Sequence, residues 1–333
     1  MKNKFYNLLN IIIFVIALNF TTPNTVAQNT TNIQRNNNNK LNYKIPFKIP
    51  VSVFNKFRLT ENTKVKRVYS DSNVVEYDRN YTYYYHLRAI SFPEDGYQKV
   101  YASFDSCEYN FNSGKKMVRF ISQDDEAVPP LNERDFLLFI QPLGKTFEAL
   151  YSNYGQVAKI QGDDLNEKRD QIKNDIKKYD NPERLEAILA KLSDLELVKL
   201  IDPIKNLLPS FSVDFDTTWN RDLDFNLDVI NVRGNSKVNL VDYRNNAYKL
   251  NCQMDSLYTD QKTFRLPEMN KEAELLEFKG NGNYELEISY VGAPSYAKAN
   301  LNSIIKGKIT NTQFTQFTET ILIWDLMEKT VYK

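Results

Sequence analysis

Apolar and polar residues alternate along most of this chain, and the alternation gives way to a helical period once, near the middle. Residues 56–122 carry the two-residue period of strands. Within them, 74–92 holds Tyr81, Tyr83, Tyr84 and Tyr85, which suit a pleated, half-buried surface. Pro93-Glu94-Asp95-Gly96 reads as a turn, 97–111 as the return arm of a long hairpin, and Asn112-Ser113-Gly114 as a second turn. Residues 136–141 and 145–152 are expected as strands, the latter paired with 156–161 across Asn153-Tyr154-Gly155. After Pro209 the strands return. Trp219 follows Phe211, Val213 and Phe215 and is expected to be buried beside them. Tyr248, Leu250, Cys252 and Met254 fall on one face, 274–279 and 283–290 read as a hairpin turning at Gly280-Asn281-Gly282, and 305–332 holds two or three more strands.

The interruption spans 163–208. Asp164 with Glu167 has the form of a capping box, and the helix it opens, 164–179, bears only the thin stripe Leu165, Ile172, Ile176. Asn181-Pro182 marks a second start, followed by the fuller stripe Leu185, Ile188, Leu189, Leu192. Ser193 with Glu196 suggests a third start, and Leu197, Leu200, Ile201, Ile204 and Leu208 continue the apolar face past a kink at Pro203. The expected fold is α+β: a large curved antiparallel sheet with a two-to-three-helix insert packed on its core face. The segment 182–208 should lie on that face, with 164–179 outside it.

The N-terminus carries an address rather than a fold. Lys2 and Lys4 precede the apolar run 8–20, and Thr25 and Ala27 place small residues before a cleavage site after Ala27. Residues 1–27 are therefore read as a signal peptide; the apolar run is shorter than the roughly 20 residues of a spanning helix. Residues 28–42 read as a flexible, Asn-rich leader, and 43–333 as a single domain. No later apolar stretch reaches spanning length, so the expected location is periplasmic or extracellular, with no transmembrane segment after cleavage.

Charge and composition then remove function classes. Lys+Arg (43) and Asp+Glu (42) nearly cancel over 333 residues, which argues against nucleic acid as a partner. With a single histidine, His86, a His-rich metal site is impossible and a catalytic triad has one candidate base. No G-x-S-x-G elbow accompanies it, and a strand histidine with an ordinary structural role is the simpler reading. Asp214, Asp216, Asp222, Asp224 and Asp228 crowd one region, with Asp214 and Asp216 in phase on a strand, but the calcium-loop pattern is missing. The glycine cluster at 280–282 lacks the following helix of a phosphate cradle. No catalytic, metal or cofactor site is thus assigned. Cys107 and Cys252 are candidates for a disulfide in an oxidising compartment, with two buried free thiols as the alternative. The aromatic load, 21 Tyr and 20 Phe, suits either strand cores or the lining of an apolar cavity.

The run Thr146-Phe147-Glu148-Ala149-Leu150-Tyr151-Ser152-Asn153-Tyr154-Gly155-Gln156-Val157, continuing through Lys159-Ile160-Gln161-Gly162-Asp163-Asp164, an amphipathic insert, Leu208-Pro209 and Trp219, resembles a family of exported bacterial proteins of unknown function. Asp216-Thr217-Thr218 stands where that family has a glycine-containing turn. The resemblance implies an exported α+β domain and no activity. From the residues, the expectation is an exported, non-enzymatic protein that binds a lipid-like or other apolar small molecule. A structural or protein-interaction module of the cell envelope, with an envelope protein as partner, is the alternative. A hydrolase using the Asp214/Asp216 region ranks last.

Overall fold

The computed structural model describes residues 33–35, 41–51, 53–179, 182–269 and 271–331. The signal peptide, its cleavage site and most of the leader lie outside the described residues. Within the leader, β1 (Ile33–Arg35) pairs antiparallel with β2 (Leu41–Tyr43).

The first half of the chain then gives β3 (Val53–Tyr69), β4 (Val74–Ala89), β5 (Tyr97–Asn112), β6 (Met117–Ile121), helix α1 (Arg134–Phe139), β7 (Thr146–Ser152) and β8 (Val157–Gln161). The insert holds α2 (Asp163–Ile176), α3 (Glu183–Lys191) and α4 (Asp194–Ile201). The second half gives β9 (Thr218–Leu227), β10 (Ile230–Arg244), β11 (Ala247–Tyr258), β12 (Thr263–Leu266), β13 (Lys271–Ser289), β14 (Pro294–Ile309) and β15 (Thr312–Val331). Strands β3 to β15 form one 13-stranded antiparallel sheet, mostly of hairpins within each half. The halves join where β3 pairs β15, from Val53↔Val331 to Tyr69↔Phe314. The hydrogen-bonded path ends at β8 on one side and β9 on the other, so the sheet is not closed. The insert is the chain's bridge between those two edges.

Distances across the sheet require it to curl. Six strand steps separate β4 from β10 along the path, about 29 Å if the sheet were flat. Yet Tyr77 of β4 donates its hydroxyl to Asp228, in the β9–β10 turn, at 2.6 Å. The alternating positions of β3, β4 and β15 therefore face a shared interior: Phe57, Leu59 and Val65, then Tyr77, Tyr83 and Tyr85, then Phe314, Leu322 and Trp324, all buried.

The insert's end is tied into this interior by a specific need. Buried carbonyls at a helix C-terminus require donors, and the sheet supplies them from inward aromatic side chains. Trp324 Nε1 donates to Leu200 O at 3.1 Å, Tyr151 OH to Ile201 O at 3.1 Å, and Trp219 Nε1 to Leu207 O at 2.8 Å. Tyr284 OH donates to Pro203 O. The tyrosine-rich composition thus serves a polar purpose inside an apolar core.

One end of the curl is sealed by the extended segment 43–50, where Tyr43, Ile45, Phe47 and Ile49 are buried. Prolines at 46 and 50 keep it out of a central ladder. In place of one, the Gln98 amide donates to Ile49 O at 2.7 Å and accepts from Ile49 N at 2.9 Å. Lys48 N donates to Gly292 O at 3.2 Å. Gly292 has φ +99°, and a Cβ there would lie 2.6 Å from Lys48 N, so this turn needs glycine twice over.

Several sequence expectations are corrected. Residues 136–141, expected as a strand, lie largely in α1. Their unbroken apolar run does not distinguish helix from strand, and Phe136 and Phe139, three apart, both meet Tyr109, at ring distances of 5.4 and 5.2 Å. Gly280-Asn281-Gly282 is no turn: β13 runs straight through it. A Cβ on Gly282 would come within 2.7 Å of Asn300 O and of the Leu301 side chain, so close packing, not chain reversal, explains the glycine. Pro203 ends a helix instead of kinking it, since Asp202 before it is extended (φ −106°, ψ 90°). Helix α2 starts after Gly162 with no side-chain cap, whereas Ser193 does cap α4, accepting from Glu196 N at 3.4 Å. Trp219 is buried, but Phe211 and Phe215 are exposed, because β9 begins only at Thr218. Among the described residues, no helix is long and apolar enough to cross a membrane.

Candidate ligand cavity and the charged network at its floor

The end of the curl opposite segment 43–50 is not filled. A cavity of about 540 Å3 lies between the inner face of β4 and β5 and the helices α1, α3 and α4. The β9–β10 turn, together with β12 and the residues flanking it, completes its wall. Helix α1 contributes Leu138 and Phe139, α3 contributes Ala187 and Ala190, and α4 contributes Leu195 and Leu200. Helix α3 buries none of its residues fully: Leu185, Ile188 and Leu189 are half-buried against the core.

Beneath the cavity lies a buried charged network. Glu61 of β3 and Arg79 of β4 sit at inward positions, in phase with Leu59 and with Tyr77, Tyr81 and Tyr83. Arg79 NH2 donates to Glu61 Oε1 at 2.9 Å, and Arg79 NH1 donates to Asp135 Oδ1 at 3.1 Å and lies 3.3 Å from Asp228 Oδ1. Tyr109 OH donates to Asp135 Oδ2 at 2.5 Å, Tyr81 OH to Glu61, and Thr63 to Glu61 Oε1 at 2.9 Å. Three carboxylates thus share one guanidinium. Burial works against the Arg79 charge, but Asp135, Asp228 and Glu61 outweigh it and hold its pKa well above the usual value. Asp228 is the carboxyl that yields. Burial pushes it up to about 6 against the pull of Arg79. Behind this network Arg67, fully buried, donates to Gln316 Oε1 and pairs with Glu268.

A second buried charge pair belongs to the insert. Asp202 Oδ1 accepts from Ile204 N at 2.9 Å and Lys205 N at 3.1 Å, which sets the turn after α4. Burial raises Asp202 to about 6 and lowers Lys205 to about 8. Lys205 Nζ lies 4.9 Å from the Phe225 ring and 5.2 Å from that of Trp324. Glu196, on the cavity wall, is desolvated too, but Lys191 and Lys199 outweigh that and hold it down to about 2.

The residues singled out from sequence go elsewhere. His86 faces outward from β4, with Nδ1 3.0 Å from Asp105 and its ring 4.0 Å from that of Phe54. Asp214 and Asp216 shape a turn: Asp214 Oδ1 accepts from Thr217 Oγ1 at 2.6 Å and from Asp216 N at 3.1 Å. Asp222 and Asp224 meet Asn235 and Arg233 on the surface, and of the five only Asp228 reaches the interior. Cys107 and Cys252 are both free and buried, on β5 and β11, which are not neighbours in the sheet. Burial raises each thiol to about 11, which keeps it protonated and inert.

No family model matches the chain, and no curated protein matches it. Among solved structures it is similar to lipovitellin, in a structure of its lipid–protein interactions, at 8% identity and a TM-score of 0.44, over 86% of this chain and 26% of that one. The chain therefore spans about a quarter of the lipovitellin chain it matches. It is also similar to OpdQ of Pseudomonas aeruginosa, at 7% identity and a TM-score of 0.17, over 83% of this chain and 98% of that one. An outer membrane channel from Pseudomonas putida F1 gives 7% identity and a TM-score of 0.17, over 84% and 97% of the respective chains. Such overlaps carry no chemistry, which lies with the side chains.

Glu61, Arg79 and Asp135 escaped the sequence reading because they come from β3, β4 and α1 and meet only in the curled sheet. A signal was present nonetheless. Arg79 interrupts the inward aromatic series Tyr77, Tyr81, Tyr83, Tyr85, and a charge in phase with a core stripe needs a buried partner.

Proposed function

We propose that this protein is exported, non-enzymatic, and holds an apolar small molecule in the cavity between sheet and insert. The cavity itself carries the reading: about 540 Å3 falls within the roughly 300–1,000 Å3 of ligand pockets. Its walls are mainly apolar side chains from the helices, opposite tyrosines of the sheet. In this reading the fold is α+β, with the insert on the core face of a curved sheet. The carboxylates nearest the cavity support a binding role over a hydrolytic one. Asp135 is bound to Arg79 and Tyr109, Asp228 to Tyr77, and Glu196 to Lys191 and Lys199, so none is disposed to activate a water. Export rests on Lys2, Lys4, the apolar run 8–20 and the small residues Thr25 and Ala27. The likeness of 146–164 and Trp219 to exported bacterial proteins agrees with it.

Native mass spectrometry of the protein purified from its own envelope tests the reading. A co-purifying small apolar molecule, lost on mild denaturation, is expected. Protein that arrives empty and takes up no apolar probe would contradict it. N-terminal analysis of the exported protein should begin at Gln28, and retained Met1 would overturn the export assignment.

A further inference from the structure

The cavity's charges are unevenly placed. At the floor Arg79 is outnumbered by Glu61, Asp135 and Asp228. At the rim the balance reverses. Arg134 and Arg265 line the wall, and both pair with one carboxylate, Glu183: Arg134 NH1 at 3.1 Å, Arg265 through NH2. Arg184, next in the chain to Glu183, donates to Leu131 O at 2.8 Å and adds a third guanidinium. All three groups keep contact with solvent. Crowding shows in Arg134, whose pKa is lowered by partial burial and then by Arg265, with Glu183 opposing and Arg184 adding a smaller push. An anion at this rim would relieve that repulsion, and guanidinium groups bind carboxylate and phosphate through paired hydrogen bonds. The acidic floor would repel the same anion.

We propose that the cavity takes a single-chain amphiphile with an anionic head, the head held at the rim by Arg134 and Arg265 and the chain lying along Leu138, Phe139, Ala187 and Leu200. The inference rests on the reading of the cavity as a ligand site and adds the ligand's class and orientation. Head-out binding follows from the difference between the basic rim and the acidic floor, with the Glu196 charge on the wall between them offset by Lys191 and Lys199.

Four probes with one chain length, kept below their micelle concentrations, separate the terms: dodecanoate, dodecyl phosphate, dodecanol and dodecylamine. Calorimetric titration of the full mature chain is expected to show either anion binding roughly tenfold tighter than dodecanol, as two charge-assisted contacts imply, with dodecylamine weakest. The tighter anion identifies the head as carboxylate or phosphate. The pair Arg134→Gln and Arg265→Gln should abolish the preference while leaving dodecanol affinity in place. Glu183→Gln, which removes the carboxylate competing with the ligand for both arginines, should strengthen anion binding. Dodecanol binding as tightly as the anions, or an anion preference that survives the double variant, overturns the inference and leaves the apolar cavity standing. Failure of every probe overturns the cavity reading and the inference together.

Discussion

Helices α3 and α4 carry apolar stripes of similar strength, a few residues apart, and meet opposite ends. In α4 and the turn after it, Leu197, Ile201, Ile204, Leu207 and Leu208 are all buried. In α3, Leu185, Ile188 and Leu189 stay half-buried, and only Leu192, just past its end, is buried fully. Helix α4 is the more apolar of the two, whereas α3 has the more one-sided stripe. The backbone separates them further: the carbonyls of Leu200, Ile201, Pro203, Leu207 and Leu208 are claimed by Trp324, Tyr151, Tyr284, Trp219 and Arg221 of the sheet. A segment whose orphan carbonyls are met by inward donors is fixed in the interior. The neighbouring helix, whose end carbonyl at Leu192 is met by Arg169 of α2 and not by the sheet, is left as a wall with space behind it. A stripe that is partly covered marks where a ligand can complete the packing.

The largest effect should come from the network under that wall. Arg79→Met leaves Glu61, Asp135 and Asp228 without their shared cation in a buried site, and a loss of about 3–5 kcal/mol is expected in urea unfolding. A loss near zero would show the carboxyls protonated or hydrated in the folded state. Next, Leu197→Ala should cost about 2–5 kcal/mol, as buried leucines do, while Leu189→Ala on the half-covered helix should cost less than half as much. Equal losses would erase the distinction between the two helices. Tyr284→Phe removes the donor to Pro203 O and should cost about 1–3 kcal/mol; an unchanged urea midpoint would mean that this carbonyl does not anchor the insert.

A smaller effect follows from protonation. Asp228 titrates near 6 in the folded protein, above the roughly 3.9 of an unfolded Asp. The folded state therefore binds the proton more tightly between those values, and Asp228 costs stability as pH rises through 6. Asp228→Asn cannot ionise, so its stability relative to wild type should improve from pH 5 to pH 7. Urea midpoints at both pH values decide the matter: no movement between them would show that Arg79 keeps Asp228 ionised throughout.

The sheet was readable because inward and outward residues follow a strict two-residue period over long strands, as in β3, β4 and β15. Where the period carries no information, the reading failed. The apolar run in α1 is compatible with two structures, and the glycines of β13 signal close neighbours in β14 as readily as a turn. Helix α3 shows a further limit. Periodicity marks a stripe as apolar but not as covered: of the stripe expected on the core face, Leu185, Ile188 and Leu189 are half-buried and Leu192 alone is fully buried. The site depends on curl. Tyr77 and Asp228 are 151 residues apart in sequence and many strands apart in the sheet, and no local pattern brings them together.

The central claim is that the space behind α3 receives a ligand. Ala187 lies on that wall and is half-buried, so Ala187→Trp places a ring into the cavity without disturbing α4. Titration of a fluorescent fatty-acid analogue into wild type and variant is the direct test. The account predicts affinity at least about tenfold weaker for the variant at an unchanged urea midpoint; equal affinity would contradict it.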